Sequence, residues 1–326
     1  MAKTKMKLNA SNPKARQLEQ QEENSKRDDY AAGTTNDSIV AGKPKPGISA
    51  CIMVKNEEKN LPGMLDSLKG VVDEIVAIDH ESSDHTAEIL RKAGAKIIPL
   101  KDPERNFKSE GKGSKSWVDI ERTLLNDNAS YEWILHIDAD ERLTGGARQE
   151  LPKLAKQDDY DVIWLISKHF YAPGKWFRYG FYRPHPEPRF YRKRCKINWN
   201  VIIHEPPRIE GRHFYSNVEY DHLYYTPGEE RIRRKHEVYI QIERRQKAQY
   251  LSKNFFVMTF FILLGYPVYF LYGLARYLAF LDGWEGVKSA GYLSMYFARS
   301  GYLEVFFKRK LGLIRYSPYL ENERVN

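Results

Sequence analysis

WILHIDADERL, residues 133–143, is the stretch that decides the fold. Its first half is an apolar run of strand length, suited to a strand buried on both faces. Its second half sets Asp138, Asp140 and Glu141 at the C-terminal end of that strand. Three carboxylates at the mouth of a sheet repel one another. A hard divalent cation holding a phosphorylated ligand gives them a reason to be together. The stretch therefore predicts an open α/β sheet with a ligand crevice at its strand ends.

Working outward, the same grammar repeats. ISACIMV (48–54) is a continuous apolar run, and a helical stretch opening at Asn56-Glu57-Glu58 carries Leu61, Met64, Leu65 and Leu68 on one face until Gly70 stops it. EIVAID (74–79) reads as a second strand. Ser82, Ser83 and Asp84 then offer caps to a helix carried by Ala87, Ile89, Leu90 and Ala93 and ended by Gly94. AKIIPL (95–100) is a third strand, 114–126 a helix, 133–138 a fourth strand and DVIWLIS (161–167) a fifth. Alternation of this kind implies right-handed crossovers and a mostly parallel sheet, with ligands bound beyond the C-terminal strand ends. Asn56 and Glu57 follow the first strand, Asp79 ends the second, and Asp138 and Asp140 follow the fourth. Three strand ends converge on one edge.

The chain has 326 residues, 42% of them hydrophobic, enough for a large α/β domain with an appendage. Residues 1–47 are polar, without the apolar core of a secretory signal, and are expected to form a disordered tail. Residues 48–228 are expected to form the sheet domain, and 229–326 basic, amphipathic and apolar helices. Cys51 and Cys195 are the only cysteines, which excludes a disulfide framework or a zinc spacing and suits a reducing, cytoplasmic setting. A net charge of +9 favours phosphorylated substrates, an anionic membrane surface or nucleic acid. A basic nucleic-acid-binding protein is the alternative class. Carboxylates at the ligand edge would repel a phosphate backbone, and no helix-turn-helix, zinc-finger or ribonucleoprotein motif is present, so nucleic acid is not expected as a partner.

Residues 229–250 read as a charged helix. No charged residue then occurs from 254 to 275, a stretch long enough to cross a bilayer. Gly265 and Pro267 interrupt it, aromatics crowd both sides, and Arg244, Arg245, Lys247 and Arg276 flank it. Tyrosines and basic flanks belong at headgroup level, so the expectation is a broken, interfacial hairpin in the cytoplasmic leaflet. A span and a helix packed on the sheet domain are the competing readings.

The order MVKNEE (53–58), IVAIDHESSDHT (75–86), WILHIDADERL resembles the family-2 glycosyltransferases of the GT-A fold. KNEE, DADER, IIHEPP (202–207) and FLDGWEGVKSA (280–290) are most similar to the branch of lipopolysaccharide-core β-1,4-glucosyltransferases. The resemblance implies inverting transfer of a sugar from a nucleotide diphosphate, with Mg²⁺ or Mn²⁺. The acceptor would be a membrane-associated or lipid-linked glycan, met on the inner face of the membrane by a peripheral or monotopic protein. By motif, Asp79 would contact the base, Asp138 the ribose and metal, and Asp140 the metal. Val54, Asn56, Glu57, Lys115 and Arg189 would complete the nucleotide-sugar contacts, with Arg183 a further candidate. His204 is the candidate third metal ligand. Glu205 is the candidate general base, since inversion needs a carboxylate to take the acceptor's proton; Asp158, Asp159 and Asp161 are alternatives. His80 and Glu81 replace the usual Asp-Gly of the second motif, and His85 replaces a glycine. A catalytically inactive membrane scaffold of the same fold is the other alternative. A sugar-nucleotide pyrophosphorylase is disfavoured, because MVKNEE lacks the glycines that such enzymes carry after their first strand.

Overall fold

The computed structural model describes residues 44–99, 117–198, 207–223 and 230–313. Lys115, His204 and Glu205, and the short strand expected at 200–203, lie outside the described residues.

The first strand, β1 (Lys45–Val54), is followed by α1 (Leu61–Leu68), β2 (Glu74–Asp79), α2 (Thr86–Lys92), β3 (Lys96–Pro99), α3 (Trp117–Asn128) and β4 (Tyr131–His136). These strands lie parallel in the order β3-β2-β1-β4. The reason is visible in β1. Ile48, Ala50, Ile52 and Val54 enter a core with Leu61, Met64 and Leu68 of α1, while Cys51 enters a second core with Leu125 of α3. A strand covered on both faces must be apolar at consecutive positions. Helix α1 opens later than its periodicity implies. Asn56 takes a left-handed conformation (φ 54°), residues 57–60 form a turn, and Pro62 sits in the first helical turn.

Beyond β4 the sheet becomes mixed. It gains β5 (Glu141–Leu143), β6 (Val162–Ala172), β8 (His185–Arg192) and β11 (His213–His222), ordered β4-β8-β6-β11-β5, with β7 (Lys175–Trp176) paired to β6. Helix α4 (Gly145–Leu154) follows β5, and β9 (Ile197–Asn198) and β10 (Arg208–Ile209) form a separate ribbon. Strand β8 runs antiparallel between β4 and β6.

The sheet edge remote from β4's C-terminal end is held by charge. Arg192, 1% exposed, bonds to Glu132 and Asp158 and stacks on Trp133. Asp161 bonds to Arg194 at 2.7 Å and to Arg212 at 3.1 Å. Asp158 and Asp161 therefore serve the fold at the start of β6, away from the strand ends where a base would act. Burial alone would raise the Asp161 carboxyl's pKa, but the hydrogen bonds from Arg194 and Arg212 hold it below the ordinary value. A depressed carboxylate stabilises the fold above the unfolded pKa of about 4, and that contribution fades as the pH falls further. Asp161→Asn is expected to lower unfolding free energy at pH 7 by on the order of 1–3 kcal/mol. The deficit should shrink in urea titrations below pH 4.

The C-terminal region comprises α5 (Glu230–Gln246), α6 (Phe255–Tyr277), a 3₁₀ turn (Ala279–Asp282), α7 (Gly283–Arg299) and α8 (Tyr302–Lys310). It shares a core with the sheet domain through Phe177, Tyr182, Ile240, Leu293 and Tyr296. A fully buried ion pair, Glu243–Lys247 at 3.2 Å, joins α5 to α7 and α8. Glu243 accepts from the hydroxyls of Tyr296 and Tyr302, and the Lys247 ammonium lies 3.3 Å over the Tyr302 ring. The expected break at Gly265 and Pro267 does not occur, and α6 is one unbroken helix of 23 residues. Gly265 is buried against Ala298, where an added Cβ would come within 3.1 Å of the alanine methyl, whereas Pro267 is on the exposed side. The glycine serves close packing, and the proline's missing N–H removes a single helical bond.

Candidate active site

The site is built at the ends of β1, β2 and β4 and on the mixed half of the sheet. Strand β4 stops at His136, and residues 138–141 turn, closed by the Glu141 N–H on the Asp138 carbonyl at 3.0 Å. The turn answers a geometric problem. Alternate residues on a continuing strand would point to opposite faces. Here Asp138 keeps 44% of its side chain exposed and Asp140 18%, while Ala139 is buried and the Glu141 side chain is 1% exposed.

Beneath this turn is a row of polar groups drawn from four strands. Glu141 on β5 is the register partner of His222 on β11, and His222 that of His169 on β6. His185 on β8 is the register partner of Ser167 on β6. The His169 ring lies 4.8 Å from that of His222 and 5.3 Å from that of His185. His185 contacts Glu187 at 3.0 Å, and His222 approaches Asp140 at 3.6 Å and Glu141 at 3.9 Å. Arg189 is the hub. Its guanidinium bonds to Glu187 at 2.6 Å and to Glu141 at 2.9 Å, reaches Asp138 at 3.6 Å, and lies 5.7 Å over the Tyr220 ring.

The charges interlock. Burial pushes the Glu141 carboxyl up to about 7, against the pull of Arg189. Burial would also raise Glu187, but Arg189 and His185 hold it well below the usual carboxylate range. Burial would lower Arg189, but Glu141, Glu187 and Asp138 keep it charged. His169 is held neutral, by burial first and by its histidine neighbours second. Burial works against charge on His222, but Asp140, followed by Glu141 and Asp138, raises its pKa above the ordinary histidine value. The result is a fixed, mostly dry polar floor under two part-exposed carboxylates, an arrangement able to aim charge at a bound ligand.

The other strand ends are more committed than their position implied. The Val54 carbonyl accepts from the His80 N–H at 2.9 Å. Asn56 donates its N–H to Ser82 and accepts from the Ser83 N–H on its side chain, both at 2.8 Å. Glu57 donates its N–H to Thr86 and accepts from Asn60 on its carboxylate. Asp79 accepts from both the hydroxyl and the N–H of Ser82. Loops 56–58 and 82–86 are thus locked together at the rim by Ser82, Asp84 and Thr86, while the N-cap of α2 is His85, which makes no side-chain cap bond, so the expected capping by Ser82 and Ser83 is not seen. His80 is buried 3.4 Å from Glu121, and Glu81 occupies the left-handed position (φ 51°) of the motif's missing glycine. Glu81→Gly should relieve that strain and raise stability by up to about 1 kcal/mol, less what the freer unfolded chain takes back. Thermal melting of the variant checks it. Arg183 lies elsewhere, 3.9 Å over Tyr277 at the end of α6.

Sequence reasoning missed His169, His185, Glu187 and His222. One signal was present: HPEPRFYR sets His185, Glu187 and Arg189 at alternate positions, hence on one face of a strand. His169 and His222 carry no such mark, since strand register alone brings them together. Among the described residues no three His, Cys, Asp or Glu side chains are arranged to hold a metal unaided. Two neighbouring part-exposed carboxylates nevertheless fit a hard cation that takes its remaining ligands from a diphosphate and water.

Residues 49–209 match the family described as Glycosyl transferase family 2. The matched residues resemble a glycosyltransferase domain, carried here on a mixed α/β sheet whose β3-β2-β1-β4 half is parallel. The chain is 35% identical over 114 residues to an uncharacterized glycosyltransferase of Rickettsia felis, covering 35% of this chain and 36% of the relative. It is 31% identical over 141 residues to the lipopolysaccharide core biosynthesis glycosyltransferase LpsC of Rhizobium meliloti, covering 42% and 46%. The chain thus spans less than half the length of these curated relatives. Among solved structures it is similar to S. aureus TarS 1-349 in complex with UDP-GlcNAc, at 12% identity and a TM-score of 0.38, covering 78% of this chain and 91% of that one.

Proposed function

We propose that this chain transfers a sugar, with inversion, from a nucleotide diphosphate sugar, with a UDP-hexose as donor. The acceptor is a membrane-associated or lipid-linked glycan, as in assembly of lipopolysaccharide or another cell-surface glycan, reached from the cytoplasmic side. The observation that carries the reading is the turn 138–141. It presents Asp138 and Asp140 at the end of β4, beside the ends of β1 and β2, over buried counter-charges.

Asp138 and Asp140 would hold Mg²⁺ or Mn²⁺, which supplies positive charge to a departing diphosphate. The chain's own residues do the rest. Arg189 neutralises the acidic floor and sets the position of Asp138. His222 lies 3.6 Å from Asp140. Asp79, at the end of β2, is the proposed contact to the base. Glu205 is the proposed base for the acceptor hydroxyl, and Val54, Asn56, Glu57 and Lys115 the proposed remaining donor contacts, with His204 a proposed metal ligand.

The test is a panel of nucleotide-sugars, with Mn²⁺ or Mg²⁺, scored by thermal stabilisation and by donor hydrolysis. One UDP-sugar should raise the melting temperature well above the rest. If no nucleotide-sugar shifts it with either metal, the reading fails.

A further inference from the structure

Helix α6 has two unlike sides. Along one, the stripe 258-261-265-269-273-277 is docked on the rest of the chain. Arg244 donates to the Met258 sulfur at 3.1 Å, and the Phe261 ring lies 6.0 Å from that of Phe307. Gly265 packs on Ala298, Tyr269 on Phe297, and Gly273 on Phe181 and Ala290. The Tyr277 carbonyl accepts from the Gly180 N–H at 2.8 Å. Along the other side Phe256, Phe260, Leu263 and Leu271 are bare, at 59–80% exposure, and Leu281 and Trp284 extend this surface past the helix end. The spacing i, i+4, i+7, i+15 keeps the four α6 residues on one face. An uncovered apolar strip of this length is an interaction surface.

The charges nearby say what covers it. Lys253 and Arg276 stand exposed near the two ends of α6, and Arg309 and Lys310 at the end of α8, with Lys310 5.8 Å from the Phe306 ring. The acidic groups of residues 253–313 are turned inward or paired: Asp282 accepts from the N–H groups of Arg178 and Tyr179, Glu285 pairs with Lys288, and Glu304 is buried with Lys308. An apolar face rimmed by outward cations complements a bilayer carrying anionic lipid.

We propose that α6, the 3₁₀ turn and the last turn of α8 lie in the plane of an anionic membrane surface, with the bare stripe among the acyl chains. The helix does not cross. It is long and apolar enough to span, but a span needs about 20 residues surrounded by lipid. Here the docked stripe ties α6, from Met258 to Tyr277, to α5, α7 and α8, whose charged groups, among them Arg244, Arg299 and Lys308, cannot enter hydrocarbon. The inference deepens the membrane-side acceptor proposed above and rests on that reading only for its purpose, not for its test.

That test is flotation of the full chain with phosphatidylglycerol–phosphatidylethanolamine vesicles and with pure phosphatidylcholine vesicles, followed by carbonate extraction. The protein should float with the anionic vesicles, bind the neutral ones at least about tenfold less, and be released by carbonate. Leu263→Glu/Leu271→Glu, which leaves the docked stripe untouched, should lower partitioning at least about tenfold without shifting the melting temperature. The charge variant Arg309→Glu/Lys310→Glu should weaken anionic binding and leave neutral binding unchanged. Failure to float, a concentration-dependent dimer abolished by the Leu263/Leu271 variant, or resistance to carbonate would each overturn the proposal. Vesicle binding without nucleotide-sugar turnover would instead count against the catalytic reading alone.

Discussion

Asp140→Asn should leave a folded protein that no longer transfers sugar. The backbone role of residue 140, accepting from the Leu223 N–H at 2.8 Å, does not depend on the side chain. Asparagine keeps the shape and one oxygen, so the melting temperature should move by no more than a few degrees. What it removes is the negative charge beside His222 and Asp138. If Asp140 holds a cation against a diphosphate, losing that charge raises the barrier by several kcal/mol, or at least about 10³ in kcat. Two measurements decide it: steady-state turnover with the best donor, and calorimetric nucleotide binding with and without Mn²⁺. Near-normal turnover would remove Asp140 from the centre of the site. Lost turnover together with unfolding would mean that the residue is structural.

Arg189→Met should destabilise the protein by about 3–5 kcal/mol, because it leaves the buried Glu141 and Glu187 with only the imidazoles of His222 and His185 as counter-charges. Glu141 and Glu187 both bond to the same guanidinium, and Glu141 is almost wholly removed from water. The turn that carries Asp138 should shift with it, so donor binding falls as well. Packing loss and charge loss can be separated. The double variant Arg189→Met/Glu141→Gln removes one stranded charge and should recover a clear part of the stability in urea unfolding. If it is as unstable as the single variant, the electrostatic account of the floor is wrong. Arg189→Lys should fall between, since an ammonium restores the charge but not the two-pronged geometry.

The parallel half of the sheet is legible in local pattern because its causes are local. ISACIMV and EIVAID are apolar on consecutive residues, and the helix after each is followed by a left-handed glycine, Gly70 and Gly94. The acidic edge follows, since polar residues at the ends of such strands have few other places to be. Helix α6 differs from its sequence reading for another reason. Gly265 and Pro267 have the look of breaks, yet a glycine in a helix also permits close contact with a neighbour, and only the position of Ala298 distinguishes the two. Arg189 is conspicuous in the sequence, but its partners are not: Glu141 is 48 residues away along the chain.

By itself, then, the sequence determined the alternating strand–helix order and the edge where polar strand ends gather, with Asp138 and Asp140 upon it. Short-range periodicity and strand-end polarity suffice for those. The tertiary structure alone decided what lies beneath them. His222, His169 and His185 meet because β11, β6 and β8 are neighbours in a fixed register, and register is set by core packing across the whole sheet rather than by any segment within it.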